Sequence, residues 1–212
     1  MRALLLLMLP ALQPTQLGMP RDEPGPKMCL CPEAVQRHVW CEVHNVGLLA
    51  GVKITSPLLF EVLDAHGHQA DPNFIPCAAC RKHYDTGGFC PDCRIGYVNH
   101  LAYMSPLTYH LALGKHTDPA ILDCAACRAN ASSYGWCDRC RRGMAGNVAY
   151  TDNAEFNIAI VEFKRLLVAI EKMPTCDGCS VAIMCDGQCW YCKKQYRDTR
   201  DVPKEATPDS DR

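Results

Sequence analysis

The clearest apolar period in the chain lies in NAEFNIAIVEFKRLLVAIEK, where Phe156, Ile160, Phe163, Leu167 and Ile170 recur at three- and four-residue steps along one side of a helix. Asp152-Asn153 supplies its polar start signal. PLLFEVLDAHG and PLTYHLALGKH carry the same period more weakly, and each is opened by a serine with proline at the first helical position, Ser56-Pro57 and Ser105-Pro106. A short β-like run stands ahead of each start: LLAGVKIT, YVNHLAYM and MAGNVAYT. Gly47, Gly96 and Gly143 introduce these runs at intervals of 49 and 47 residues. The hydrophobic pattern therefore predicts a strand followed by a helix, three times over.

Each strand-helix stretch is preceded by cysteines at constant spacing. Cys77-Cys80 and Cys90-Cys93 enclose RKHYDTGGF, Cys124-Cys127 and Cys137-Cys140 enclose RANASSYGW, and Cys176-Cys179 and Cys189-Cys192 enclose SVAIMCDGQ, nine residues each time. A degenerate copy comes first: Cys31, nine residues, then Cys41 with His44 three places on, while Met28 occupies the expected first position and Cys29 sits beside it. The chain thus divides into residues 28–72, 73–121 and 122–173, each a cysteine pair of pairs with strand and helix, and a terminal copy over 174–196. That last copy ends after its cysteines, where Lys193-Lys194-Gln195 replaces the glycine turn, and suits a terminal cap.

A divalent zinc ion takes four thiolates in a tetrahedron, and Cys-x-x-Cys lets one tight turn present two of them. A nine-residue spacer has room for a short β-hairpin that folds the second turn back on the first, with Gly87-Gly88, Gly135 and Gly187 as permissive points. Four thiolates on one divalent ion leave a charge of about −2. Arg81, Arg94, Arg128, Arg141 and Lys193, each directly after a second or fourth cysteine, can offset it or can be ordinary surface charge.

Competing chemistries fit less well. No Cys-x-x-Cys is followed by histidine, which removes covalent haem attachment. Trp136-Cys137-Asp138-Arg139-Cys140 has the look of a thioredoxin-like centre, yet it has a repeat partner upstream and no βαβ context, which argues against a thiol-disulfide oxidoreductase. Iron-sulfur ligation lacks a dense run of three cysteines. A disulfide-stapled secreted protein is the main rival, since the 16 cysteines are even in number, but disulfide frameworks rarely repeat as paired doublets.

Composition adds the context. Sixteen cysteines in 212 residues is far above ordinary usage, and the small apolar supply per repeat suits metal-stapled units. With 22 basic and 23 acidic residues, the net charge of −1 argues against nucleic acid as a partner. At the N-terminus, residues 1–18 have one positive charge and an apolar run from Ala3 to Leu12, the length of a signal-peptide core and too short to span a bilayer. If that leader is real the protein is exported, periplasmic or secreted; if Met19 is the start, it is cytoplasmic. Residues 197–212 lack apolar periodicity and read as a disordered tail.

The four-cysteine segments resemble zinc ribbons and related double-knuckle metal modules over about 17 residues each, and Cys90-Pro-Asp-Cys93 resembles a rubredoxin knuckle at a much shorter overall spacing. Fold class and site residues follow. We expect an α+β chain, an array of four small zinc-ribbon-like knuckle units joined by short strand-helix segments. Zn2+ is expected at Cys77, Cys80, Cys90 and Cys93; at Cys124, Cys127, Cys137 and Cys140; and at Cys176, Cys179, Cys189 and Cys192, with a weaker fourth site at Cys29, Cys31, Cys41 and His44. His66, His68, His110 and His116 are placed outside the sites as surface residues, and Tyr103, Tyr109, Tyr150 and Phe156 as recurring core positions. No catalytic set is visible, so the expected role is a non-enzymatic scaffold for a protein partner. Metal handling, with Cys29 and Cys185 as exchanging thiols, is the alternative.

Overall fold

The computed structural model describes residues 38–202. The leader, Cys29 and Cys31 lie outside them. The three predicted helix starts are capped as the sequence demands. Ser56 accepts from the Leu59 amide at 3.1 Å ahead of α1 (Pro57–Leu63), and Ser105 accepts from the Thr108 amide at 3.2 Å ahead of α3 (Pro106–Leu113). Asp152 accepts from Ala154 and Glu155 at 2.7 and 2.9 Å ahead of α5 (Asn153–Lys172). None of the described helices is long and apolar enough to cross a membrane.

The nine-residue spacers are the first departure from expectation. They form helices rather than hairpins: α2 (Ala78–Thr86), α4 (Ala125–Ala131) and α6 (Asp177–Cys185), each starting directly after its first cysteine. Alanine pairs at 78–79 and 125–126 favour this, since alanine gives up least on entering a helix. The hairpin falls instead across the second Cys-x-x-Cys.

In the first repeat β1 (Trp40–Cys41) turns into β2 (Val46–Leu49) and β3 (Val52–Ile54), giving sheet order β1-β2-β3. The second sheet has order β4-β7-β6-β5, built from β4 (His68–Gln69), β5 (Gly88–Cys90), β6 (Ile95–Val98) and β7 (Leu101–Tyr103). The third has order β8-β11-β10-β9, from β8 (Lys115–His116), β9 (Tyr134–Cys137), β10 (Arg142–Ala145) and β11 (Val148–Tyr150). Strands β4 and β8 follow the helix of one repeat but pair with the sheet of the next, His68 opposite Ala102 and His116 opposite Val148. Backbone hydrogen bonds therefore join the chain after one helix to the sheet that comes next.

The tail expectation also changes at its start. β12 (Gln195–Arg197) and β13 (Arg200–Val202) form a hairpin around Asp198 and Thr199, so ordered chain continues past 197 at least to Val202.

Among the described residues, apolar side chains gather in one large cluster and two small ones. The large cluster joins Leu49, Ile54 and Leu59 of the first repeat to Leu107 and Leu111 of α3, then Tyr150, Phe156, Phe163 and Leu166, and finally Ile183 and Tyr196. Of the α5 stripe, Phe156, Ile160 and Phe163 are buried with Ala159, Leu166 and Ala169, while Leu167 and Ile170 pack at its margin. Arg165, buried on the same helix, reaches Asp186 at the end of α6 and Asp198 in the β12–β13 turn, and so pins the last repeat to α5.

Candidate metal centres

Three groups of four cysteines are positioned to bind metal ions: Cys77, Cys80, Cys90 and Cys93; Cys124, Cys127, Cys137 and Cys140; and Cys176, Cys179, Cys189 and Cys192. Within each group all sulfurs lie within 4.8 Å of one another. Cys77 Sγ and Cys90 Sγ are 4.0 Å apart, Cys124 and Cys137 3.9 Å, and Cys176 and Cys189 3.7 Å. A tetrahedron with metal–sulfur bonds of 2.3 Å has edges of about 3.8 Å, so four soft donors stand at the separation a zinc-sized ion requires. Among the described residues no cysteine is in a disulfide.

The local fold explains the convergence. The first cysteine of each group is the residue before a helix, and the second lies one turn in, so both sulfurs gather at the helix start. Cys90 and Cys137 each end a strand, Cys189 follows the isolated bridge at Gln188, and the fourth cysteine of each group sits in a turn. Directly after it, Arg94, Arg141 and Lys193 take left-handed backbone, φ 56°, 48° and 60°. The two buried sulfurs of each group are its second and third cysteines, and the fourth is exposed.

Two of the basic residues that follow the cysteines also hydrogen-bond to backbone carbonyls. Arg128 donates to the carbonyls of Leu122 and Asp123, and Lys193 Nζ to the carbonyl of Trp190 at 2.7 Å. Hydrogen bonding and burial distinguish the thiols. The Cys127 amide holds Cys124 down at about 6, and the Cys80 amide holds Cys77 at about 7, whereas burial pushes Cys127 up to about 12.

A feature missed in the sequence ties the hairpins that carry Cys41, Cys90 and Cys137 to the helices that follow them. Trp40, Phe89 and Trp136, each just before a third cysteine, stand opposite Gly47, Gly96 and Gly143 on the adjacent strand. Phe60, Tyr109 and Phe156 then lie over those glycines, with ring centroids 5.5, 5.5 and 5.7 Å from the three aromatics. A Cβ at Gly96 would fall 2.1 Å from the Tyr109 ring, which is why the position carries none. The constant spacing of 20 residues between paired aromatics was the available signal.

The degenerate copy keeps the same turn. Cys41 Sγ lies 3.5 Å from His44 Nδ1, and Asn45 takes the left-handed backbone, φ 50°, that Arg94 and Arg141 take elsewhere. Cys29 and Cys31 fall outside the described residues. Cys185 ends α6 and is exposed, apart from the four sulfurs of its repeat. Of the histidines set aside, His68 pairs with Asp64 at 2.7 Å, His110 packs on Phe89 and Tyr109, and His116 Nε2 accepts from Asn147 Nδ2 at 2.8 Å. Tyr109, Tyr150 and Phe156 are buried and Tyr103 half-buried, as their recurrence implied.

No family model, curated protein or solved structure matches the chain.

Proposed function

We propose that this chain is a non-enzymatic scaffold. Zn2+ at the three four-cysteine sites, and more weakly at Cys29, Cys31, Cys41 and His44, fixes four related units that present hairpins and helices to a partner. The carrying observation is where the last centre sits. Cys179 and Cys189 belong to the same buried cluster as Phe163 and Leu166, so an ion there ties α6 into the main core. Metal so placed contributes folding free energy, because the site does not exist in the unfolded chain. Four thiolates also fill a tetrahedral ion and leave no position for a substrate.

Native mass spectrometry of the anaerobically purified protein should find three tightly held zinc ions, and stepwise chelation should strip any fourth ion first. Secondary structure followed by circular dichroism should fall as the three are removed. A metal-free protein with eight disulfides would sink the reading.

Metal handling has one observation in its favour. A cavity of about 810 Å³ opens beside Cys124, Cys127 and Cys140, a route by which a small chelator reaches that ion. If the ion at that site exchanges while the circular dichroism signal stays constant, sequestration or sensing becomes the better account.

A further inference from the structure

The turn of the last metal centre differs from the others. Between its third and fourth cysteines the centre that starts at Cys77 has Pro91-Asp92 and the one that starts at Cys124 has Asp138-Arg139, but the last has Trp190-Tyr191. Both rings are out in solvent, 42% and 68% exposed, with centroids 5.3 Å apart. They lie against the start of α6, where a Cβ on Gly178 would fall 2.8 Å from the Tyr191 ring. Large aromatic rings held at a fixed place yet left wet are what binding surfaces use, since they supply contact area at little entropic cost.

The ribbon running from this turn has a charge arrangement that folding alone does not favour. The knuckle closes with Cys189 N donating to Lys194 O at 2.8 Å, and Gln188 bridges to Gln195 at the start of β12. Four residues beyond Lys193, Arg197 stands directly opposite Arg200 on β13, and both are exposed. Residues directly opposite share a face, and like charges so placed repel. Nearby carboxylates are already engaged. Asp186 and Asp198 face Arg165, and Asp201 holds Lys194 at 2.7 Å. Five basic groups, Arg165, Lys193, Lys194, Arg197 and Arg200, meet four carboxylates, Glu162, Asp186, Asp198 and Asp201, which leaves a small local positive surplus on the ribbon in a chain whose net charge is −1.

We propose that this ribbon binds single-stranded nucleic acid, with Trp190 and Tyr191 stacking on bases and Arg197 and Arg200 taking phosphates. From Lys193 to Arg197 a strand covers about 13 Å at 3.3 Å per residue, a length of two or three nucleotides. An acidic peptide would satisfy the arginines but gives the two rings no flat partners. The neutral balance of the whole chain argues against a long-range field; it does not bear on a short local contact. This names the partner class of the scaffold reading and rests on it.

The test is fluorescence anisotropy of a labelled oligouridylate with the zinc-loaded full chain at low salt. Trp190→Ala and Tyr191→Ala should each weaken binding by about tenfold, with zinc content and thermal midpoint unchanged. Arg197→Gln with Arg200→Gln should lower the slope of log affinity against log salt by about 1.4, and the thermal midpoint should hold or rise as the repulsion is relieved. No binding at low salt overturns the proposal. So does a Trp190→Ala protein that binds as tightly as the parent, or polyglutamate that competes as well as unlabelled oligonucleotide. The two readings fail separately: a chain that keeps three zinc ions and ignores the oligonucleotide defeats this inference alone. One that binds it, but keeps its circular dichroism signal after chelation, defeats the structural role of zinc alone.

Discussion

Replacing Cys189 by serine is expected to unfold the main core, whereas the equivalent Cys90→Ser should melt only the second centre and its surroundings. The two cysteines occupy the same place in their repeats and both are fully buried. They differ in what lies around them. Cys189 and Cys179 pack within the large cluster that contains Tyr150, Phe163, Leu166 and Ile183. Cys90 lies in a small cluster with Ile75, Cys80, Tyr97 and Ala102. A structural tetrathiolate site is worth on the order of 10 kcal/mol of apparent folding free energy, comparable with the whole stability of an ordinary domain. Losing it inside the main core removes the folded state; losing it in a satellite leaves α5 and its partners in place. Hydrogen exchange read by segment checks this. Protection in 153–172 should vanish in the Cys189→Ser protein and survive in the Cys90→Ser protein. Equal loss in both would mean that the centres fold as one cooperative body and that the division into core and satellites has no energetic content.

Gly146→Ala should cost about 3 kcal/mol, the sum of left-handed backbone strain and forced overpacking. Gly146 sits at φ 56°, and a Cβ there would meet the Ala50 carbonyl oxygen at 2.0 Å. That oxygen belongs to the backbone of the first repeat, so it cannot swing aside as a flexible side chain would. Asn147 N donates to it at 2.9 Å, and the Asn147 side chain lies over Gly51. The contact therefore docks the β10–β11 turn on the β2–β3 turn, two repeats apart in sequence. Gly187→Ala is the control. Its nearest neighbour would be 3.9 Å away, so its thermal midpoint should stay near the parent's. Equal midpoints for the two variants would refute the docking of the first repeat on the third.

Features that depend on a few adjacent residues are legible in the chain directly. Cysteine spacing set the three four-sulfur groups, because two ligands separated by two residues must share one turn. Ser56-Pro57, Ser105-Pro106 and Asp152 set the helix starts, because a cap bonds amides two or three residues on. The glycines at 47, 96 and 143 were visible as a recurrence, and so were Tyr109 and Phe156, although the contact between ring and glycine was not.

The remaining features depend on contacts between distant stretches. The spacers became helices because a nine-residue polar stretch suits either form until its cysteines are drawn to one point, and the alanines then favour helix. β4 and β8 are two-residue strands with no pattern of their own, and they exist because the neighbouring sheet offers them an edge. The run after Cys192 is too charged to announce a strand, yet Arg165 holds its turn through Asp198, and Tyr196 is buried against the core. The shared core is the largest of these differences. Each repeat alone has too few apolar residues to bury, so Leu49, Leu107, Phe163 and Ile183 from four separate stretches find one another, a choice made by area removed from water and carrying no local signature in the chain.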